Sequence, residues 1–287
     1  MTRPVQALMW LLHWLPFSLL GRLGTLLGHL LYLFALERRR VGRINLSLCL
    51  PELDQRARDR LLRAHFVEMA RTLLEYGYCW YATPEQMKRL VRIEGLHHLE
   101  AQAGHPVILL GAHFTGLEMA GIRLSIDVPM ADIYTRQKNR SLDALIHEKR
   151  LRFQQNGRLI SRQDGIRPVL RALKEGFRLY YLPDQDLGPK ESVFVPFFGV
   201  EAATITGLPR LARASGAAVL PCFVRREADG YVLEIEAPLT DFPSDDPVAD
   251  TIGMNSLIEA KVRARPAQYF WLHKRFKTRP EGEARFY

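Results

Sequence analysis

The stretch PVILLGAHFTGLEMAG, Pro106 to Gly121, decides how this chain is read. Val107 to Leu110 is a continuous apolar run that does not alternate, as expected of a strand buried on both faces. Gly111 breaks it, and His113 and Glu118 then follow five residues apart. Gly116 lies between them, and Leu117-Glu118-Met119-Ala120 reads as the first turns of a helix. This order places an imidazole and an orienting carboxylate at the carboxyl end of a parallel strand. Open α/β sheets put their chemistry there.

Working outward, 287 residues suffice for one large α/β domain and an appendage. A hydrophobic share of 47% and a charged share of 25% fit a globular chain. The net charge of +9 points to an anionic partner: nucleic acid, an acidic protein or a phosphorylated lipid surface. Cys49, Cys79 and Cys222 fit no metal-ligand spacing and suit a reducing compartment.

Val5 to Leu36 carries one charge, Arg22, among many Leu, Trp and Phe. The run is longer than a signal-peptide core and lacks a small-residue cleavage site. About 20 apolar residues cross a bilayer, but Pro16, Gly21 and Arg22 split this run in two. It reads as one kinked or tilted span or as two interfacial helices, against the alternative of a buried core helix. Trp10 and Trp14 suit a headgroup region. Glu37-Arg38-Arg39-Arg40 and Arg43 form a basic flank of the kind that holds an apolar segment to the cytoplasmic side. Residues 1–40 are therefore expected to be a membrane anchor with its flank, and residues 41–287 a cytoplasmic domain.

Asp54 caps a helix running to about Tyr81, and Thr83 with Pro84 opens another. Strands are expected at Val91–Glu94 and Ala131–Thr135. Asn139 or Ser141 then caps a basic helix through Phe153. A helix over Gly165–Lys174 leads into the apolar strand Phe177–Leu182, which runs directly into Pro183-Asp184-Gln185-Asp186. Those carboxylates bind a metal, orient donors or simply cap a turn. Phe194–Gly199 reads as an apolar loop, with Thr204 or Thr206 capping the helix that follows. Ala217–Val224 reads as a buried strand, Tyr231–Ala237 as an antiparallel edge, and Pro247–Val262 as a late helix. The aromatic and basic mixture at Gln268–Lys277 suits a phosphate-rich interface or RNA. The fold class is α/β: a mostly parallel central sheet flanked by helices, with an N-terminal apolar helical segment.

His113, four residues, then Glu118 resembles the H-x4-D/E signature of the glycerolipid acyltransferase superfamily. Together with the apolar N-terminus and its basic flank, RINLSLCLPEL, the basic helix ending at Arg150, YLPDQDLGPKESVFVPFFGVEAAT and WLHKRFKTRP, the chain resembles the lipid A biosynthesis (late) acyltransferases over almost its whole length. The resemblance implies transfer of a fatty acyl chain from acyl carrier protein to a 3-hydroxyacyl hydroxyl on a Kdo-bearing lipid A precursor, at the cytoplasmic face of the inner membrane. It carries over His113 and Glu118 as a catalytic dyad, with Arg150, Asp184 and Asp186 as substrate or oxyanion candidates. Which of the two aspartates matters is open at this point.

In chemical terms, His113 is the expected general base and Glu118 the acid that fixes its tautomer. Arg150 or backbone amides after Gly111 hold the oxyanion. No metal or cofactor is needed for such a transfer. The partners expected are the carrier-protein thioester, an anionic lipid acceptor and the membrane; no nucleic-acid motif is present. The same dyad serves glycerol-phosphate and lysophosphatidate acyltransferases, which are the first alternative. A non-catalytic membrane-surface protein is the second.

Overall fold

The computed structural model describes residues 2–154 and 157–287. The chain begins with α1 (Thr2–His13), α2 (Phe17–Phe34) and α3 (Leu36–Cys49), then the long α4 (Gln55–Tyr81) and the short α5 (Pro84–Leu90). Next come β1 (Val91–Glu94), α6 (Leu96–Glu100), β2 (Val107–Leu110), α7 (Leu117–Asp127) and β3 (Met130–Tyr134). The middle continues through α8 (Arg140–Arg150), β4 (Arg158–Ser161), α9 (Arg167–Lys174), β5 (Arg178–Tyr181), β6 (Ser192–Phe197) and β7 (Val200–Ile205). The chain closes with α10 (Gly207–Ser215), β8 (Ala218–Arg226), β9 (Tyr231–Ile235) and α11 (Pro247–Ala264).

Seven strands form one sheet in the order β1-β9-β8-β2-β5-β3-β4. From β8 to β4 all neighbours are parallel; β9 is antiparallel to β8 and parallel to β1. The sheet is thus mostly parallel, as the apolar runs predict, and all four residues of β2 are fully buried. β9 is not the edge, because β1 adds a further strand beyond it. A one-sequence reading sees the alternation of β9 but not a pairing with residues about 140 positions earlier.

Local signals operate as expected at several helix starts. Asp54 accepts from the Ala57 N–H, and Thr83 forms a capping box with Gln86, with Pro84 in the first turn. Of the two caps open for α8, Asn139 takes the amides of Ser141 and Leu142, and the helix stops at Arg150 rather than Phe153. The segment read as an apolar loop is strand β6, paired with β7 in a hairpin. Its turn puts both Phe198 and Gly199 at positive φ, the backbone of a tight two-residue hairpin turn. Phe is an uncommon residue there, and the Phe198 amide is held by the Glu259 carboxylate at 2.7 Å. Thr204 therefore lies in β7, while Thr206 precedes α10 without a side-chain cap.

At the N-terminus Pro16 does break the apolar run, but Gly21 and Arg22 lie inside α2, where a glycine weakens a helix by only about 1 kcal/mol. Among the described residues, α2 alone is long and apolar enough to cross a membrane. The boundary expected after residue 40 falls within α3, which runs through it as one helix. α2 lies antiparallel along α4, with Phe17 against Tyr78 at one end and Tyr32 against Phe66 at the other. Gly28 permits this approach. A Cβ there would sit 2.5 Å from the Val67 Cα, a backbone atom that no rotamer change can move away. Gly28→Val is therefore expected to lower unfolding stability by about 1–3 kcal/mol, read by urea denaturation of the purified chain. Unchanged stability would show that α2 is free of α4 in solution.

Candidate active site

Two neighbouring strands deliver the site. β2 and β5 run parallel with Leu110 opposite Tyr181. His113 and Asp184 each stand three residues past that pair, so the register alone brings them together. The Asp184 carboxylate accepts from His113 Nδ1 at 2.7 Å and from the His113 backbone N–H at 2.9 Å. This two-point hold fixes the ring; with Nδ1 donating, Nε2 is the nitrogen left to accept a proton.

The electrostatics of the pair are reciprocal. Burial disfavours a charged imidazole, but the charge of Asp184 and its hydrogen bond outweigh that and hold His113 above its ordinary value. Burial likewise opposes ionisation of Asp184, yet His113, its two hydrogen bonds and the nearby Arg275 hold the carboxyl below its ordinary value. Asp184 is 2% exposed, whereas the His113 side chain keeps 26% of its surface open. The pair is thus a buried carboxylate behind a reachable imidazole.

Glu118 stands elsewhere. The loop turns at Gly116, whose φ of 88° and close approach to the Tyr231 ring, 2.4 Å from a hypothetical Cβ, admit no side chain. The first turn of α7 then carries Glu118 to Arg150 at the end of α8. Its carboxylate takes Arg150 Nε at 3.1 Å and also contacts Nη2. Burial opposes the Arg150 charge, and the Glu118 carboxylate more than restores it. The orienting contact on His113 is made by Asp184, and Glu118 engages Arg150 instead.

Asp186 has a different place again. It is 1% exposed, and its carboxylate accepts from the Thr278 backbone N–H at 2.7 Å, the Thr278 hydroxyl at 2.9 Å and the Gly188 N–H at 2.9 Å. It clasps the C-terminal segment. Of the amides after Gly111 expected to cradle an oxyanion, those of His113, Phe114 and Thr115 are engaged, donating to Asp184, the Ala112 carbonyl and the Gln268 carbonyl. Of the oxyanion candidates read from the sequence, Arg150 keeps one nitrogen, Nη1, without a hydrogen bond among the described residues.

The C-terminal segment completes the site. Phe114 bridges Tyr269, and the Phe270 N–H donates to the His113 carbonyl at 2.9 Å. Tyr269, Trp271, Arg275 and Phe276 are buried, so much of the aromatic and basic mixture packs behind the site, while Lys277 stays exposed. Arg275 donates to the Ala203 carbonyl and the Thr204 hydroxyl. His273 accepts from the Asp186 N–H at 3.1 Å through Nε2; burial, against the pull of Asp184, lowers it to about 4 and keeps it neutral. A cavity of about 10 Å³ bordered by His113, Asp184, His273 and Arg275 is far too small for an acyl chain. His273 and Arg275 escape a sequence reading because they reach the site through tertiary pairing, 89 and 91 residues after Asp184.

The arrangement can remove a proton from a hydroxyl at one face of an imidazole and hold the resulting cation. Comparison with known proteins agrees in kind. Residues 4–278 match the model of the bacterial lipid A biosynthesis acyltransferase family. The chain is 37% identical over 279 residues to the lipid A biosynthesis lauroyltransferase of Escherichia coli, covering 96% of this chain and 90% of that one. It is 35% identical over 284 residues to the palmitoleoyltransferase of the same organism, covering 97% and 92%. To its myristoyltransferase it is 33% identical over 274 residues, covering 94% and 83%. With its whole sheet and the His113 loop inside the matched span, the chain belongs to the bacterial lipid A biosynthesis acyltransferase family.

Proposed function

We propose that this acyltransferase moves a fatty acyl chain from an acyl carrier protein thioester to the hydroxyl of a 3-hydroxyacyl chain on a Kdo-bearing lipid A precursor, at the cytoplasmic face of the inner membrane. The observation that carries the reading is the His113–Asp184 pair at the ends of β2 and β5. His113 Nε2 takes the hydroxyl proton as the oxygen attacks the thioester carbonyl. The carbon–sulfur bond then breaks, and the imidazolium returns its proton to the leaving thiolate. Asp184 stabilises the imidazolium in between. Arg150, held by Glu118, is the cation we assign to the developing negative charge, and Glu118 acts on the reaction through it. The acceptor supplies the hydroxyl, so no acyl-enzyme forms.

The test is incubation of the full-length protein with a panel of carrier-protein thioesters and a Kdo-bearing tetra-acylated precursor, followed by mass spectrometry. Addition of one acyl chain is expected, and His113→Ala is expected to reduce its rate by roughly 10²–10⁴-fold. Acylation of glycerol phosphate or lysophosphatidate in place of the precursor would move the chain to the alternative reading. Full activity in His113→Ala would overturn the mechanism.

The net charge of +9 has a role in this reading, because both substrates are acidic. The KM for the carrier-protein thioester is expected to rise several-fold between about 0.05 and about 0.5 M salt, as screening shortens the reach of the charges. A KM independent of salt would remove charge from donor recognition.

A further inference from the structure

We infer that α1 and α2 lie flat in the headgroup–acyl boundary of a bilayer, backed along their length by α4, and do not cross it. The inference rests on the membrane reading above and specifies its geometry. α2 has three faces. Leu20, Gly24, Gly28 and Tyr32 are buried against the body of the protein. Leu19, Leu23, Leu26, Leu30 and Leu33 form an exposed apolar stripe at helical spacing. Ser18, Arg22 and His29 form an exposed polar edge beside that stripe. Leu8 and Leu11 on α1, and Trp14 just past its end, extend the exposed apolar surface.

A helix that crossed the bilayer would put Arg22 and His29 into hydrocarbon. It would also take its backing helix with it. Arg71 of α4 donates to the Gly21 carbonyl at 3.3 Å and to the Thr25 hydroxyl at 3.0 Å, and pairs with Glu68. Arg63 of α4 lies 5.0 Å over the Tyr32 ring at the other end of α2. These charges run alongside the length of α2, and charged side chains at bilayer depth are costly. An in-plane placement avoids both problems. The stripe then enters the acyl boundary, while Arg22, Arg38 and Arg40, all exposed, meet anionic headgroups. The same arginines disfavour a second copy of the chain on this face, because like charges would adjoin.

Depth measurement on the full chain tests this. Single cysteines at Leu19, Leu26 and Leu33 are spin-labelled on protein bound to vesicles of phosphatidylethanolamine and phosphatidylglycerol. All three positions are exposed, and the three native cysteines are buried away from the label. The three labels are expected at one shallow depth, about 5–10 Å below the headgroups. A graded profile, with Leu26 near the midplane and steps of roughly 10 Å between labels, would overturn the inference in favour of a span. Labels that report no lipid contact would overturn both it and the membrane assignment. Acyl transfer measured in detergent micelles would stand or fall separately.

Discussion

Asp184→Asn is expected to lower kcat on the order of 10³–10⁴-fold while the fold and the KM for the acyl donor are retained. The substitution keeps the shape of a side chain that is 2% exposed. An amide, however, presents one acceptor and one donor where the carboxylate presents two acceptors. If its oxygen keeps the His113 backbone N–H, its NH₂ faces Nδ1. The ring must then accept at Nδ1 and carry its proton on Nε2, the nitrogen required as base. The opposite rotamer sets the amide NH₂ against the backbone N–H. That rotamer leaves two donors facing each other, so the first arrangement is favoured, and it holds the unproductive tautomer. Steady-state kinetics with circular dichroism decides the matter, and near-normal kcat would leave Asp184 with a structural role only.

The same pair sets a pH dependence. In the proposed mechanism the base must be neutral, and Asp184 holds His113 above its ordinary value of 6.5. The acid limb of kcat/KM is therefore expected above that value in the native chain. In Asp184→Asn the residual rate should show its limb at lower pH, since burial, which lowers the His113 value, is no longer opposed. The stability linked to His113 runs the other way. It is fully present below 6.5 and is lost as pH rises through the folded value.

Arg226→Met should have the largest effect on stability. Arg226, 6% exposed in its side chain, lies at the end of β8 among Glu75, Glu68 and Tyr231. Glu75 is fully buried on α4, and its second oxygen accepts from the Tyr231 hydroxyl on β9. Phe17 at the start of α2 stacks 5.2 Å from the guanidinium. One cation thus joins α2, α4, β8 and β9. Its removal leaves the buried Glu75 carboxylate without a cation, a change that typically costs about 3–5 kcal/mol. Burial already holds Glu75 above its ordinary value of 4.5, with Arg226 as the main opposing influence. Without Arg226 the folded value climbs further. The folded state then binds the proton more tightly than the unfolded chain, so the deficit is greatest at neutral pH and shrinks as pH falls through the folded value of Glu75. Denaturation at several pH values measures this; a deficit that does not vary with pH would place the lost stability in packing.

Much of the chain could be read from local patterns, because those patterns are the physical causes of the elements. The non-alternating run at Val107–Leu110 is a central strand, and Asp54 and Thr83 cap the helices that follow them, with Pro84 in the first turn of the second. The hairpin of β6 and β7 was hidden because its turn uses Phe198 at positive φ where Asn or Gly would have marked it. The position of β9 inside the sheet was hidden because only β1, far away in sequence, reveals it.

The sequence by itself determined that His113 stands at the carboxyl end of a buried strand, since apolar continuity and a glycine break act within a few residues. It also determined that a second strand ends at Pro183-Asp184-Gln185-Asp186. Only the tertiary structure decided which acid touches the histidine. Glu118 is nearest in sequence, but the turn at Gly116 carries it to Arg150. Asp184 is 71 residues away and reaches the ring because two parallel strands share a register. Spacing along a chain controls contacts only within one element, whereas strand pairing controls contacts between elements.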